Sequence, residues 1–180
     1  MFNINIMNNL YFKLFMLIIL TGSCTPNQPV EPVNDPIEIQ QDTTPKITAI
    51  GGIFFKSQNP DAIKQWYNEN LGLAVDEFGA PFEFRNAHNP EAINYLNWDA
   101  FPDTTTYFNP SVKEFMINYR VQNIEGLVRK LKKNGVMILD DIVSYPYGKF
   151  VHIVDLEGNK IELWEPIDSV LSKMGRTTNK

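Results

Sequence analysis

A carboxylate in the middle of an apolar strand has the strongest claim to chemistry in this chain. Glu162 lies within Lys160-Ile-Glu-Leu-Trp164. A charge there must meet a cation, hydrogen-bond donors or a metal, because an unpaired buried carboxylate is costly. His152 belongs to the strand before it and shares a face with Phe150 and Val154. It can act there as a base or ligand, or stand as a half-buried strand residue with a satisfied hydrogen bond. A third group lies in Glu114-Phe-Met-Ile-Asn-Tyr-Arg-Val121. Side chains alternate across a strand, so Ile117, Tyr119 and Val121 take the helix-facing side. Met116, Asn118 and Arg120 then take the other. The same alternation puts Glu162 with Trp164, and Gly52 with Phe54 and Lys56. Phe54, Asn118, Arg120, Glu162 and Trp164 are therefore expected in one concavity. A charged pair between aromatic walls is the usual make-up of a small-molecule site. The alternative is a structural Arg120–Glu162 ion pair closing the space. His88, in Asn86-Ala-His-Asn-Pro90, reads as an exposed turn residue.

Two similar units must position these groups. Ile47 to Phe55 reads as a strand. Asn59-Pro60 starts a helix over Ala62–Asn70, with the cap before a proline in the first turn. Ile63, Trp66, Tyr67 and Leu71 recur at helical spacing and are expected to face the core. Gly72 ends that helix. Strands follow around Leu73–Asp76, Phe82–Asn86 and Ile93–Trp98. In the second unit Asn123 caps a helix over Ile124–Lys133, with Leu127, Val128 and Leu131 as its buried stripe. Strands follow at Val136–Ile142, Lys149–Val154 and Lys160–Trp164. The last two are joined by the turn Asp155-Leu-Glu-Gly-Asn159, where Gly158 is free to take positive φ. Trp98 and Tyr107-Phe108 lie in or near the connection between the units and read as core or a lid. A twice-repeated strand–helix–strand–strand–strand pattern is itself a fold signal.

Composition narrows the function classes. The net charge is −5. The one dense basic stretch, Arg129-Lys130 with Lys132-Lys133, lies on a predicted helix as a solvated face, which disfavours nucleic acid. Leu14 to Leu20 is a short apolar core followed by Thr21-Gly-Ser-Cys24, the layout of a signal peptide over 1–23. The small residues before Cys24 resemble a bacterial lipobox, which implies lipidation of Cys24 and a membrane anchor in the cell envelope. The chain has a single cysteine, so nothing downstream of Cys24 can form a disulfide or a thiolate site. Residues 24–45 carry Pro26, Pro29, Pro32, Pro36 and Pro45 and read as an extended tether. The folded domain is expected over 46–167, followed by a polar tail over 168–180.

Three passages resemble the glyoxalase/bleomycin-resistance/dioxygenase superfamily, also called vicinal oxygen chelate proteins. They are Trp66-Tyr-Asn-Glu-Asn-Leu-Gly-Leu73, Tyr119-Arg-Val-Gln-Asn-Ile-Glu-Gly-Leu-Val128 and the closing hairpin Tyr147–Pro166. The resemblance covers about residues 47 to 166. It implies an α+β fold of two paired βαβββ modules whose curled sheets enclose a cavity. It also implies metal ligands on the first and last strand of each module, and a homodimer by family analogy.

Carried over position by position, the last strand of the second module matches at Glu162. The first-strand positions fall near Gly52, which has no side chain, and Met116, a soft thioether unsuited to hard divalent ions. Asn94, Tyr95, Asn97 and Asp99 are the polar residues available on the first module's last strand. One carboxylate is a poor metal site, so no cofactor is favoured. The expected function is a membrane-tethered binder of a small organic molecule, with Glu162 paired to Arg120. The alternatives are a divalent-metal-dependent lyase, isomerase or dioxygenase using Glu162 and His152, and a non-catalytic interaction module of the envelope.

Overall fold

The computed structural model describes residues 42–180; Cys24, the proposed signal segment and the tether up to residue 41 lie outside the described residues. β-branched and aromatic residues, Ile47, Thr48, Ile50, Ile53, Phe54 and Phe55, favour the extended β1 over Lys46–Ser57. The Asn59 side chain accepts from the Ala62 amide and opens α1, Pro60–Leu71, and Gly72 closes it at φ 69°. The antiparallel pair β2 (Ala80–Arg85) and β3 (Ile93–Pro102) completes the first module. The second module runs through β4 (Phe115–Gln122), α2 (Ile124–Lys133), β5 (Met137–Ile138), β6 (Val143–Tyr145), β7 (Gly148–Val154) and β8 (Lys160–Pro166). Gly158 turns β7 into β8 at φ 75°. A short α3, Asp168–Leu171, follows. All eight strands form one curled, unclosed sheet in the order β2-β3-β1-β4-β8-β7-β5, with β6 on β7. The architecture is the α+β arrangement of paired modules that the sequence leads one to expect.

The halves are packed unequally. Under α2 lies a core of Val121, Ile124, Leu127, Val128, Val151, Ile153 and Leu163, with Leu131 packed against it. No α1 residue is buried. The expectation that Trp66 and Leu71 face a core fails, for they are 50% and 64% exposed. Helix α1 meets the sheet through Tyr67, which packs on Trp98, which in turn packs on Phe55. Helical spacing marks an apolar stripe, but only the neighbouring layer decides whether that stripe is covered.

Two expected strands are shortened by side chains that take over ladder hydrogen bonds. Leu73–Asp76 is not a strand. The Asn179 amide bonds both backbone groups of Ala74 at 2.9 and 3.0 Å, and Asp76–Gly79 is a tight turn. Val136–Ile142 breaks at Asp140, whose carboxylate accepts the His152 backbone amide at 2.8 Å.

Both ends of the described chain are tied down. Gln122 donates to the carbonyls of Asp42 and Thr44, and Asn123 to that of Thr43. Residues 168–172 are bonded to β3 and β4, and the end of the chain lies along β2, with Asn179 bonded to Pro81 and Glu83 through the backbone and Arg176 forked onto Asp76 at 2.7 and 2.8 Å. This covers an edge that would otherwise present unpaired backbone groups. Between β3 and β4, the loop 103–114 sends Phe108 into a second apolar cluster with Phe54, Phe101 and Met116.

Candidate functional site

Register puts one row of residues across five strands. Gly52 pairs with Asn97 on β3 and Asn118 on β4; Asn118 pairs with Glu162 on β8, and Glu162 with His152 on β7. A Cβ on Gly51 would lie 2.2 Å from Asn118 Oδ1, and one on Gly52 would lie 2.6 Å from the Phe54 ring. Only glycine allows β1 to approach so closely. The Phe54 ring thus occupies the space over Gly52.

Glu162 is the hub of this row. Its Oε1 accepts from Asn118 Nδ2 at 2.6 Å. Its Oε2 faces the Tyr107 hydroxyl at 2.5 Å and His152 Nε2 at 3.1 Å. Behind the imidazole, His152 Nδ1 lies 2.6 Å from Asp140 Oδ2. Lys160 donates to the Tyr107 carbonyl at 2.6 Å and sits 4.9 Å from the centre of its ring. Glu162, His152, Asn118 and Lys160 are all buried, whereas Tyr107 is 38% exposed. The result is a carboxylate–imidazole–carboxylate chain closed on its open side by a phenol.

The electrostatics follow from that geometry. Burial alone would raise Glu162, but the hydrogen bonds from His152, Tyr107 and Asn118 outweigh it and hold the carboxyl below its usual range. Burial likewise works against a charged His152, yet its bonds to Glu162 and Asp140 prevail and its pKa is raised. Burial, then the Glu162 charge, pushes the Tyr107 phenol well above its usual range. Lys160 is lowered by burial.

These shifts carry a sign for stability. A raised imidazole stabilises fully below its unfolded value of 6.5 and loses that contribution as pH rises through the folded value. A depressed carboxyl stabilises above its unfolded value of 4.5 and loses that contribution as pH falls through the folded value. The pair therefore contributes most between 4.5 and 6.5. We expect the His152 ring, followed by NMR, to titrate above 6.5 and to move down in Glu162→Gln. A midpoint at or below the ordinary value would refute this account of the cluster.

The expected ligand residues separate into three groups. Asn118, His152 and Glu162 meet in the cluster above. Phe54 lies instead in the apolar cluster with Phe108 and Met116. Arg120 and Trp164 form the third. The expected Arg120–Glu162 pair does not form. Arg120 Nη2 binds Asp168 Oδ2 at 2.6 Å, Nη1 binds the Tyr95 carbonyl at 3.0 Å, and the guanidinium lies 5.3 Å from the Trp164 ring centre. The parallel β4–β8 register explains this, because it sets Asn118 beside Glu162 and Arg120 beside Trp164. The register also makes Asn118, not Met116, the second-module neighbour of Glu162.

None of the first-module polar residues reaches Glu162. Asn94 donates to Asp168, Tyr95 to Ser172 and Asn97 to the Phe78 carbonyl, while Asp99 pairs with Lys64 at 2.7 Å. His88 is exposed in its turn. A cavity of about 90 Å³ beside Trp164, walled by Tyr95, Asn97, Met174 and Arg176, does not extend to Glu162. Sequence reasoning missed Asp140, Lys160 and Asp168, and saw Tyr107 only as core or lid. The one available signal was a lysine entering an apolar strand at position 160.

No family model matches the chain, and no curated protein does. Solved structures do. A Streptomyces coelicolor methylmalonyl-CoA epimerase variant, in complex with 2-nitronate-propionyl-CoA, aligns at a TM-score of 0.51 and 14% identity, over 67% of this chain and 99% of that one. A methylmalonyl-CoA epimerase in complex with methylmalonyl-CoA and NH4+ aligns at 0.51 and 14%, over 67% and 96%. This chain shares the fold of these epimerase structures. A Vibrio splendidus 12B01 glyoxalase/bleomycin resistance protein/dioxygenase superfamily member aligns at 0.41 and 10% identity, over 68% and 99%.

Within this fold the residues at hand do not fit the divalent metal that the sequence resemblance implies. Both Glu162 oxygens face donors of the chain itself. The Phe54 ring covers Gly52, and Met116 is buried among phenylalanines. Among the described residues no three His, Cys, Asp or Glu side chains converge in a way that could hold an ion. One carboxylate already bonded to an amide, a phenol and an imidazole leaves no third protein ligand.

Proposed function

We propose that this protein is a lipid-anchored, vicinal oxygen chelate-fold binder of a small organic molecule, which it holds by hydrogen bonding and proton sharing at Glu162 without a catalytic metal. One observation carries this reading. At the strand position where the family resemblance implies a metal ligand, Glu162 is instead the common acceptor of Asn118, His152 and Tyr107. An ionised carboxylate on a strand, with the Asn118 and His152 donors fixed on neighbouring strands, is preorganised to accept a hydrogen bond from a ligand. Asp140 supports the reading, since its hydrogen bond to Nδ1 fixes the His152 ring and, after that of Glu162, raises its pKa.

Elemental analysis of the purified protein tests it. We expect no stoichiometric zinc, iron, nickel or manganese, and no change in metal content in Glu162→Gln. About one metal per chain, lost in that variant, would reverse the conclusion in favour of the metal-dependent enzyme. The anchor rests on the lone Cys24 after a short apolar run and small residues. Cys24→Ala should leave the protein in the soluble fraction or block its maturation; unchanged membrane association and mass would exclude lipidation.

A further inference from the structure

The cluster around Glu162 is already filled, and what fills it describes a ligand. The Tyr107 ring stacks on Phe101 at 5.6 Å between centres with the planes 4° apart. It meets the His152 ring edge to face at 5.5 Å and 90°. The Lys160 ammonium lies 4.9 Å from its centre. Its hydroxyl points at Glu162 Oε2 and lies 3.2 Å from His152 Nε2. Every group that grips the phenol stands on a strand: Phe101 on β3, His152 on β7, Lys160 and Glu162 on β8. The phenol alone comes from a loop. His152, Lys160 and Glu162 are 9%, 8% and 5% exposed, against 38% for Tyr107. Three of the four gripping groups are buried and all four stand on strands, whereas the occupant borders solvent.

We infer that the Tyr107 side chain is a built-in stand-in, and that this site takes a free hydroxyaromatic molecule, a phenol, in its place. The inference rests on the reading of Glu162 as a hydrogen-bond acceptor rather than a metal ligand. The chemistry selects the class. An ionised carboxylate rejects carboxylates and accepts an O–H donor. A flat ring is needed to stack on Phe101, to take the edge of His152 and to satisfy the Lys160 cation through its π face. An alkyl alcohol supplies the hydroxyl without the ring, and toluene the ring without the hydroxyl. Phe108, fully buried beside Tyr107, holds the loop in place. Rotation of the Tyr107 side chain toward solvent therefore opens the site without moving the backbone. The occupant lowers the apparent affinity for a free phenol by the fraction of time the side chain is out.

Calorimetric titration of the full chain with p-cresol and with toluene tests this. Removing the occupant in Tyr107→Gly should tighten p-cresol binding about ten-fold or more over wild type, and leave toluene about ten-fold weaker than p-cresol. Tyr107→Phe keeps a ring in the site without the hydroxyl bond to Glu162 and should bind p-cresol more weakly than Tyr107→Gly. Adding Glu162→Gln to Tyr107→Gly should erase the preference for the hydroxyl. Tyr107→Ala is the second variant should the glycine form fail to fold, and p-cresol should also shift the His152 NMR signals of the wild-type protein. Equal binding of toluene and p-cresol, equal binding by Tyr107→Phe and Tyr107→Gly, or no binding to the folded variants overturns the inference. A metal bound at Glu162 would instead overturn the reading beneath it, so the two failures are distinguishable.

Discussion

Arg120→Leu is expected to lower the unfolding free energy by about 3 kcal/mol, the scale for removing one partner of a buried ion pair. Arg120 is 4% exposed and is held by Asp168, the Tyr95 carbonyl and the Phe84 and Trp164 rings. Leucine can replace the packing of its stem but none of these. Asp168 keeps the Asn94 amide at 3.0 Å and loses its cation. The C-terminal segment loses one of its ties to the sheet at the same time. Arg120→Lys should recover only part of the loss, since an ammonium cannot reach the carboxylate and the carbonyl in the geometry of a fork. Urea unfolding at neutral pH measures the effect as a lower midpoint at unchanged slope. A loss below about 1 kcal/mol, as for an exposed pair, would show that the Arg120–Asp168 contact is not structural.

The second large effect is expected at Phe108. It is fully buried, packs on Phe101 at 5.4 Å and belongs to the cluster of Phe54 and Met116. Phe108→Ala should cost about 3–5 kcal/mol, the lost transfer free energy plus the cavity left behind. Val112 lies in the same loop at 86% exposure, so Val112→Ala should stay within about 0.5 kcal/mol. The two variants compared by thermal or urea unfolding separate anchoring of the loop from its mere presence. Similar small losses for both would mean that Phe108 does not hold the loop on the sheet.

Local signals in the chain were readable where one element decides the outcome. Asn123 as a cap and Leu127 and Val128 as a buried stripe are properties of α2 alone, and both hold. Alternation separates Met116, Asn118 and Arg120 from Val121, which is buried on the other face in the core under α2, but the three do not line one cavity. What alternation cannot supply is the shift of one strand along its neighbour. That shift separates Arg120 from Glu162 and delivers Asn118 to it. Asp140 and Tyr107 were out of reach for another reason. They arrive from an interrupted strand and an irregular loop, 12 and 55 residues from their partners His152 and Glu162. Side chains in such segments follow no period, so only tertiary contact reveals them. Trp66 and Leu71 show the converse, an apolar period with no layer to cover it.

The unequal packing of the two modules bears on how the molecule opens. Native proteins unfold piecewise, in cooperative units whose free energies track the apolar surface each unit buries. Helix α1 buries no side chain fully, whereas α2 seals a core shared with β4, β7 and β8. The first helix is thus a low-energy unit that can detach and redock while the strands bearing Glu162 and His152 stay folded. Backbone amides of α1 would trade their protons with solvent in brief openings, long before those of β7 and β8. The hydrogen-bonded centre of this protein therefore sits in its most persistent unit, insulated from fluctuations at the other end of the sheet.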